Sequence, residues 1–151
     1  MEKALIAAGC FWGIEEFFRK INGVKKTTVG YSGGHFHNPS YEDVCTGRTG
    51  HAEVALIEFD EVQLSYDKII NYFWECHDPT QLNKQGPDIG MQYRSAIYYY
   101  SEQQKTIAEN SKDEFQQSIS KPIITEITKA KEFFPAEEYH QCFIQKKFNN
   151  E

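Results

Sequence analysis

The first residue in this chain with the makings of a nucleophile is Cys10, which stands where an apolar run gives way to a helical pattern. Lys3 to Ala8 reads as a short buried strand ending at Gly9, and Phe11, Ile14, Phe17, Phe18 and Ile21 then recur at helical spacing. Cys10 therefore opens a helix, where free backbone N–H groups and the positive end of the dipole favour a thiolate. The same position also suits a thiol that only packs. Neighbours on a helix lie about 100° apart, so Phe11 and Trp12 cannot both enter the core. Trp12 is expected at the mouth of the site, as an apolar wall beside the sulfur. Such a wall suits a small apolar group, at roughly 0.8 kcal/mol per buried CH₂.

Four more residues complete the candidate set. Glu53 shares a strand face with Ala55, Ile57 and Phe59. A carboxyl there is either paired, with Arg48 or Arg94, or protonated and able to donate. Tyr41 and Tyr93 are loop tyrosines whose hydroxyls either pack at the surface or donate to a substrate oxygen. Asp88, in Gly86-Pro87-Asp88, is also an ordinary turn residue. His51, His35 and His37 are the histidines nearest in sequence for a Cys–His peptidase or acyltransferase. A zinc site of Cys76, His77 and the loop histidines matches no familiar ligand spacing.

The elements that must position these groups follow from periodicity and turn chemistry. The first helix ends at Asn22-Gly23, with Glu15–Arg19 and Glu16–Lys20 pairs expected on its outer face. Strands are expected over 24–31, 52–59 and 95–100, and a helix capped by Ser65 and stopped at Asp78-Pro79. Ser101 and Gln104 form a capping box for a helix to about Ile119, an edge strand is expected over 123–127, and Pro135 starts a last helix burying Tyr139 and Phe143. Long loops span 32–50 and 80–92, and loops of that length in compact domains are usually functional.

The order β-α-β-β-α-β predicts an α+β, ferredoxin-like two-layer sandwich with an extra C-terminal helix, a single domain over 1–151. The first strand then lies between the third and fourth. One sheet edge gathers Cys10, the loop with Tyr41, the start of the strand with Glu53, and the loop with Asp88 and Tyr93.

Composition narrows the partners. The chain has 151 residues, 40% hydrophobic and 25% charged, with a formal net charge of −6. That balance fits a soluble domain and disfavours nucleic acid and anionic membranes. No apolar run reaches membrane-span length. The four cysteines, Cys10, Cys45, Cys76 and Cys142, form no CxxC pair. They read as free thiols of a reducing, cytoplasmic setting.

Several blocks, in order over nearly the whole chain, resemble the methionine sulfoxide reductase A family. They are Gly9-Cys10-Phe11-Trp12-Gly13, Gly30-Tyr31-Ser32-Gly33-Gly34, Asn38-Pro39-Ser40-Tyr41, Thr46 to Val54, His77 to Thr80, Gln92 to Ser95 and Phe133 to Gln141. The resemblance implies that Cys10 attacks the sulfoxide sulfur and that Glu53 supplies a proton to the oxygen, helped by Tyr41 and Tyr93. It implies that Phe11 and Trp12 hold the terminal methyl and that Asp88 helps position the substrate or its recycling partner. Cys10 is left as a sulfenic acid. The family acts on the S epimer, free or in proteins, without metal or organic cofactor. A different thiol enzyme, such as a peroxidase or acyltransferase, and a non-catalytic module binding methionine peptides are the alternatives. Many members resolve the sulfenic acid with a Gly-Tyr-Cys tail, whereas here Phe148 is followed by Asn149-Asn150-Glu151. Regeneration is then expected from Cys142, or from an external thiol such as thioredoxin or glutathione with glutaredoxin.

Overall fold

Residues that alternate or run apolar pair into a sheet because burial leaves their N–H and C=O groups only one another as partners. The computed structural model describes residues 1–149; Asn150 and Glu151, part of the tail noted above, lie outside them. In chain order come β1 (Glu2–Ala8), α1 (Phe11–Arg19), β2 (Val24–Ser32), α2 (Tyr41–Cys45), β3 (Ala52–Phe59) and α3 (Tyr66–Glu75). After these come the short strands β4 (Lys84–Gln85) and β5 (Asp88–Ile89), then β6 (Ser95–Tyr99), α4 (Glu102–Gln116), β7 (Glu126–Lys129), β8 (Phe134–Pro135) and α5 (Phe143–Asn149). Six strands form one mixed sheet in the order β7-β6-β1-β3-β2-β8, and β4 and β5 pair separately as a hairpin. β1 is buried from Ala4 to Ala8 and is flanked antiparallel by β3 and β6, while β7 joins β6 in parallel.

The helices cover one face. Phe11, Ile14 and Phe18 of α1 and Ile69, Ile70 and Phe73 of α3 pack on Ala4, Ile6, Val29, Ala55, Ile57 and Ile97 of the sheet. Cutting one such buried side chain back to alanine typically costs about 2–5 kcal/mol. The other face buries Leu5, Ala7, Val54, Ala96 and Tyr98 beneath Ala130 and Phe133, so irregular chain, not helix, closes it. That chain comes very close at Gly30, where a Cβ would stand 2.3 Å from the carbonyl oxygen of Phe134.

The structure corrects several expectations. The edge strand begins at Glu126, because Ile123 and Thr125 are buried and the Ile124 N–H bonds to the Pro79 carbonyl. Pro135 does not start a helix. It lies in β8 against Gly30, at a sheet edge where its missing N–H costs nothing. Tyr139 is exposed rather than buried, and the last helix begins only at Phe143, so Cys142 precedes it with φ +51°. Glu15 is not on the outer face of α1. It is buried and Arg19 pairs with Glu16 instead, while Lys20 pairs with Glu16 as expected. Gln104 caps from a different side: its carbonyl accepts the N–H of Tyr100, while Ser101 accepts that of Gln104. Inside the first long loop α2 is an added turn of helix, set by a capping box between Ser40 and Asp43.

Candidate active site

β1 delivers Cys10 to the sheet edge through Gly9, whose φ of +98° is a conformation side chains avoid. A Cβ on Gly9 would also stand 2.9 Å from the Gln85 side chain. Cys10 occupies the N-cap position of α1 and is half-buried. The resting thiolate expected there is not found. Burial pushes the thiol up to about 11, the N–H groups of Trp12 and Gly13 pull only partly the other way, and the nearby Glu53 and Asp88 add to the rise. Desolvation outweighs the helix terminus.

Glu53, near the start of β3, is 1% exposed. Its Oε1 accepts the Phe11 N–H at 3.2 Å, and its Oε2 has no partner among the described residues. Burial pushes the carboxyl up to about 8; the Phe11 N–H lowers it, and the charge of Asp88 raises it again. Neither arginine considered above neutralises it: Arg94 donates to the Gly50 carbonyl at 2.9 Å and pairs with Glu126 at 3.4 Å, and Arg48 is exposed on the loop. At neutral pH the site holds a neutral acid beside a neutral thiol.

Two hydroxyls face this pair. Burial raises Tyr41, with Cys45 and the charge of Glu53 adding to it. Burial and then Glu53 push Tyr93 up to about 12, and its hydroxyl meets that of Tyr41. Both therefore remain O–H groups able to donate. Asp88, half-buried on β5, acts through its charge on Cys10, Glu53 and Tyr93. Its hairpin is anchored by Gln85, whose amide bonds the N–H and carbonyl of Asp78, both at 2.9 Å.

Phe11 is fully buried under this group, with its ring 6.5 Å from Tyr41 and 5.7 Å from Tyr31. Trp12 is half-buried; its indole N–H donates to His140 Nδ1 at 2.9 Å, and its ring stacks on Phe143 at 3.9 Å. Cys10, Phe11, Trp12, Tyr41, Glu53, Asp88 and Tyr93 thus come together. Cys142 is held elsewhere. Its N–H donates to Glu15 Oε1 at 2.7 Å, and Glu15 also accepts from Thr27 at 2.7 Å.

Three supporting residues were not anticipated. Glu137 accepts from the Tyr31 hydroxyl at 2.9 Å and from the Tyr41 N–H at 3.0 Å. Burial opposes its charge, but these donors hold its carboxyl below the usual range. His140 steadies Trp12. Gln141 bonds the Val29 N–H and carbonyl at 2.9 and 2.8 Å, standing in for a strand partner. The signal for all three was the polar run Glu137 to Gln141 after an aromatic pair and a proline.

The histidines weighed above offer no base for a Cys–His mechanism. His51 is buried and neutral, with Nδ1 accepting the Gly34 N–H at 3.0 Å and Nε2 donating to the Phe36 carbonyl at 2.6 Å. His35 and His37 are exposed. His77, pushed down to about 4 by burial, has its ring nitrogens engaged by the Phe73 carbonyl and Ser95, which removes it from any metal site.

The family model for peptide methionine sulfoxide reductase matches residues 2–151. The chain belongs to that family. A peptide methionine sulfoxide reductase of Methanosarcina acetivorans is 54% identical over 97% of this chain and 79% of its own length. Methionine sulfoxide reductase A of Corynebacterium diphtheriae shares the fold at a TM-score of 0.86 and 37% identity, covering 96% of this chain and 74% of that one. Mxr1 of Saccharomyces cerevisiae in reduced form reaches a TM-score of 0.92 at 35% identity, covering 96% and 84%. The same yeast protein has been solved in complex with Trx2; that chain shares the fold at a TM-score of 0.68 and 22% identity. In this peptide methionine sulfoxide reductase family member, no helix among the described residues is long and apolar enough to cross a membrane.

Proposed function

We propose that this protein reduces methionine S-sulfoxide, free or within proteins, to methionine. The observation that carries the reading is Glu53: a buried carboxyl, neutral at pH 7, with one oxygen tied to the residue after Cys10 and the other unpartnered. A sulfoxide oxygen leaves sulfur only when protonated. Glu53 gives it a proton, the Tyr41 and Tyr93 hydroxyls donate to it, and the carboxylate so formed takes the proton of Cys10. The sulfur of Cys10 bonds to the substrate sulfur. The hydroxyl then passes to Cys10 as the S–O bond and the new sulfur–sulfur bond both break, and the electron pair of the sulfur–sulfur bond leaves with methionine. The balance is one thiol and one sulfoxide consumed, one sulfenic acid and one thioether formed. Phe11 and Trp12 enclose the methyl, and Asp88 helps position the substrate or its recycling partner.

We assign resolution of the sulfenic acid to an external thiol, thioredoxin or glutathione with glutaredoxin. Cys142 is engaged by Glu15, five residues beyond Cys10, so pairing with Cys10 requires it to leave that bond and bring its Cα within roughly 4.4–6.8 Å of that of Cys10. The Trx2 complex of Mxr1 supports a protein dithiol as donor. The free thiols fit a reducing cytoplasm and a role in repair after oxidative stress, and the charge of −6 speaks against nucleic acid or membranes as partners. We read the β6-β1-β3-β2 core, with α1 and α3 on one face, as a ferredoxin-like sandwich elaborated by β7, β8 and the C-terminal segment.

The test is one turnover without reductant on a racemic methionine sulfoxide peptide. It should yield one methionine per chain from one epimer, with one thiol lost, and nothing in Cys10→Ser. No methionine from the unaltered protein overturns the reading.

A further inference from the structure

Methionine sulfoxide inside a polypeptide brings its neighbours with it, and whatever rims the site must receive them. Tyr139 stands on that rim. The residue is 58% exposed, yet its ring rests on His140 at 4.0 Å between centroids. His140 is itself buried, bonded to Trp12, and packed 4.6 Å from Tyr41. A large aromatic held this way loses little side-chain freedom when something docks on it.

The ring does not stand alone. The bond from the Tyr41 N–H to Glu137 ties the start of α2 to this segment, which brings the exposed Glu42, the next residue along α2, to the same rim. The charges of Glu137 and Glu42 both bear on the Tyr139 hydroxyl. Glu137 already serves Tyr31 and Tyr41, and Glu138 pairs with Lys146 at 3.5 Å. Glu42 makes no ion pair among the described residues, so its carboxylate remains for a ligand. An aromatic face with a carboxylate beside it attracts a cation and repels an anion.

We propose that Tyr139 and Glu42 form a subsite that receives a lysine or arginine flanking the methionine sulfoxide of a peptide or protein substrate. This rests on the reductase reading above and adds a sequence preference to it. Free methionine sulfoxide, having no neighbours, does not reach the subsite.

The experiment compares free methionine sulfoxide with two pentapeptides carrying a central methionine sulfoxide flanked by lysine or by glutamate. The unaltered protein should favour the lysine peptide in kcat/KM, and 0.5 M salt should narrow the gap. Tyr139→Ala should raise KM for the lysine peptide about two- to fivefold, with its kcat and the kinetics on free methionine sulfoxide unmoved. Glu42→Gln should abolish discrimination between the peptides. Equal use of both peptides by the unaltered protein, or an unchanged peptide KM in Tyr139→Ala, overturns the subsite. Calorimetric binding of the same peptides to Cys10→Ser reads the preference without turnover. Failure of the reductase reading, seen as absent turnover on all three substrates, is thereby separated from failure of the subsite.

Discussion

At the scale of single residues the chemistry turns on where two protons sit. Burial raises both Cys10 and Glu53, so in the mechanism proposed above the sulfur is uncovered only as the sulfoxide takes the proton of Glu53. Glu53→Gln keeps shape and a hydrogen bond but cannot deliver a proton; its single-turnover rate should fall about 10²–10³-fold, the usual loss for a group acting on developing charge. An unchanged rate removes Glu53 from the mechanism. In the unaltered protein the rate should decline as pH rises through about 8, where Glu53 ionises, and a rapid-quench pH series reads this. Stability follows with a definite sign. The folded state binds the Glu53 proton more tightly than the unfolded chain, so Glu53 costs stability as pH rises from its ordinary value of 4.5 to about 8. Glu53→Gln should therefore melt higher than the unaltered protein at pH 9, by at least about 2 °C, with the gap closing toward pH 5. A carboxyl on an apolar strand face and a cysteine at a helix start were legible as types in positions. The outcome of burial against the helix terminus at Cys10 was not, because desolvation depends on which loops cover the sulfur.

At the scale of elements, the site depends on short pieces held by backbone geometry. Ser40 caps α2 through the Asp43 N–H at 3.1 Å, and Tyr41 is the first residue of that helix. Ser40→Ala should cost about 1 kcal/mol in chemical denaturation and lower kcat by misplacing the Tyr41 hydroxyl, with KM for free methionine sulfoxide little changed. Gly9→Ala should do more damage, since it forces a side chain into a positive φ and against the hairpin that carries Asp88. The major strands and helices were readable because each has a buried stripe of its own. α2 was missed although Ser40-Tyr41-Glu42-Asp43 carries a cap signal, since a five-residue helix has too little length for periodicity. Pro135 misled for a different reason: proline suits both a first helical turn and a sheet edge, and only the close approach of Gly30 decides between them.

At the scale of the molecule, a central β1 brings residues from 10 to 93 to one edge, and that gathering followed from element order alone. What element order could not show is the return of residues 136–143 across α1 and β2, whose contacts are mostly made by single side chains and leave no periodic trace. This return also places Cys142 against Glu15. Cys142→Ser should turn over at the normal rate with thioredoxin or glutathione and glutaredoxin, and thiol titration after one turnover should still show a single thiol lost. Loss of two in the unaltered protein and one in the variant would make Cys142 the resolving residue.

The bonds of Glu137 to Tyr41 and of His140 to Trp12 have a consequence for the order of events on the ribosome. Trp12 is made 128 residues before the His140 that steadies it. A nascent chain can pair β6, β1, β3 and β2 well before it can supply these contacts. Competence therefore arrives late and all at once, and proteolytic nicking ahead of Glu137 should silence the protein while leaving its sheet assembled.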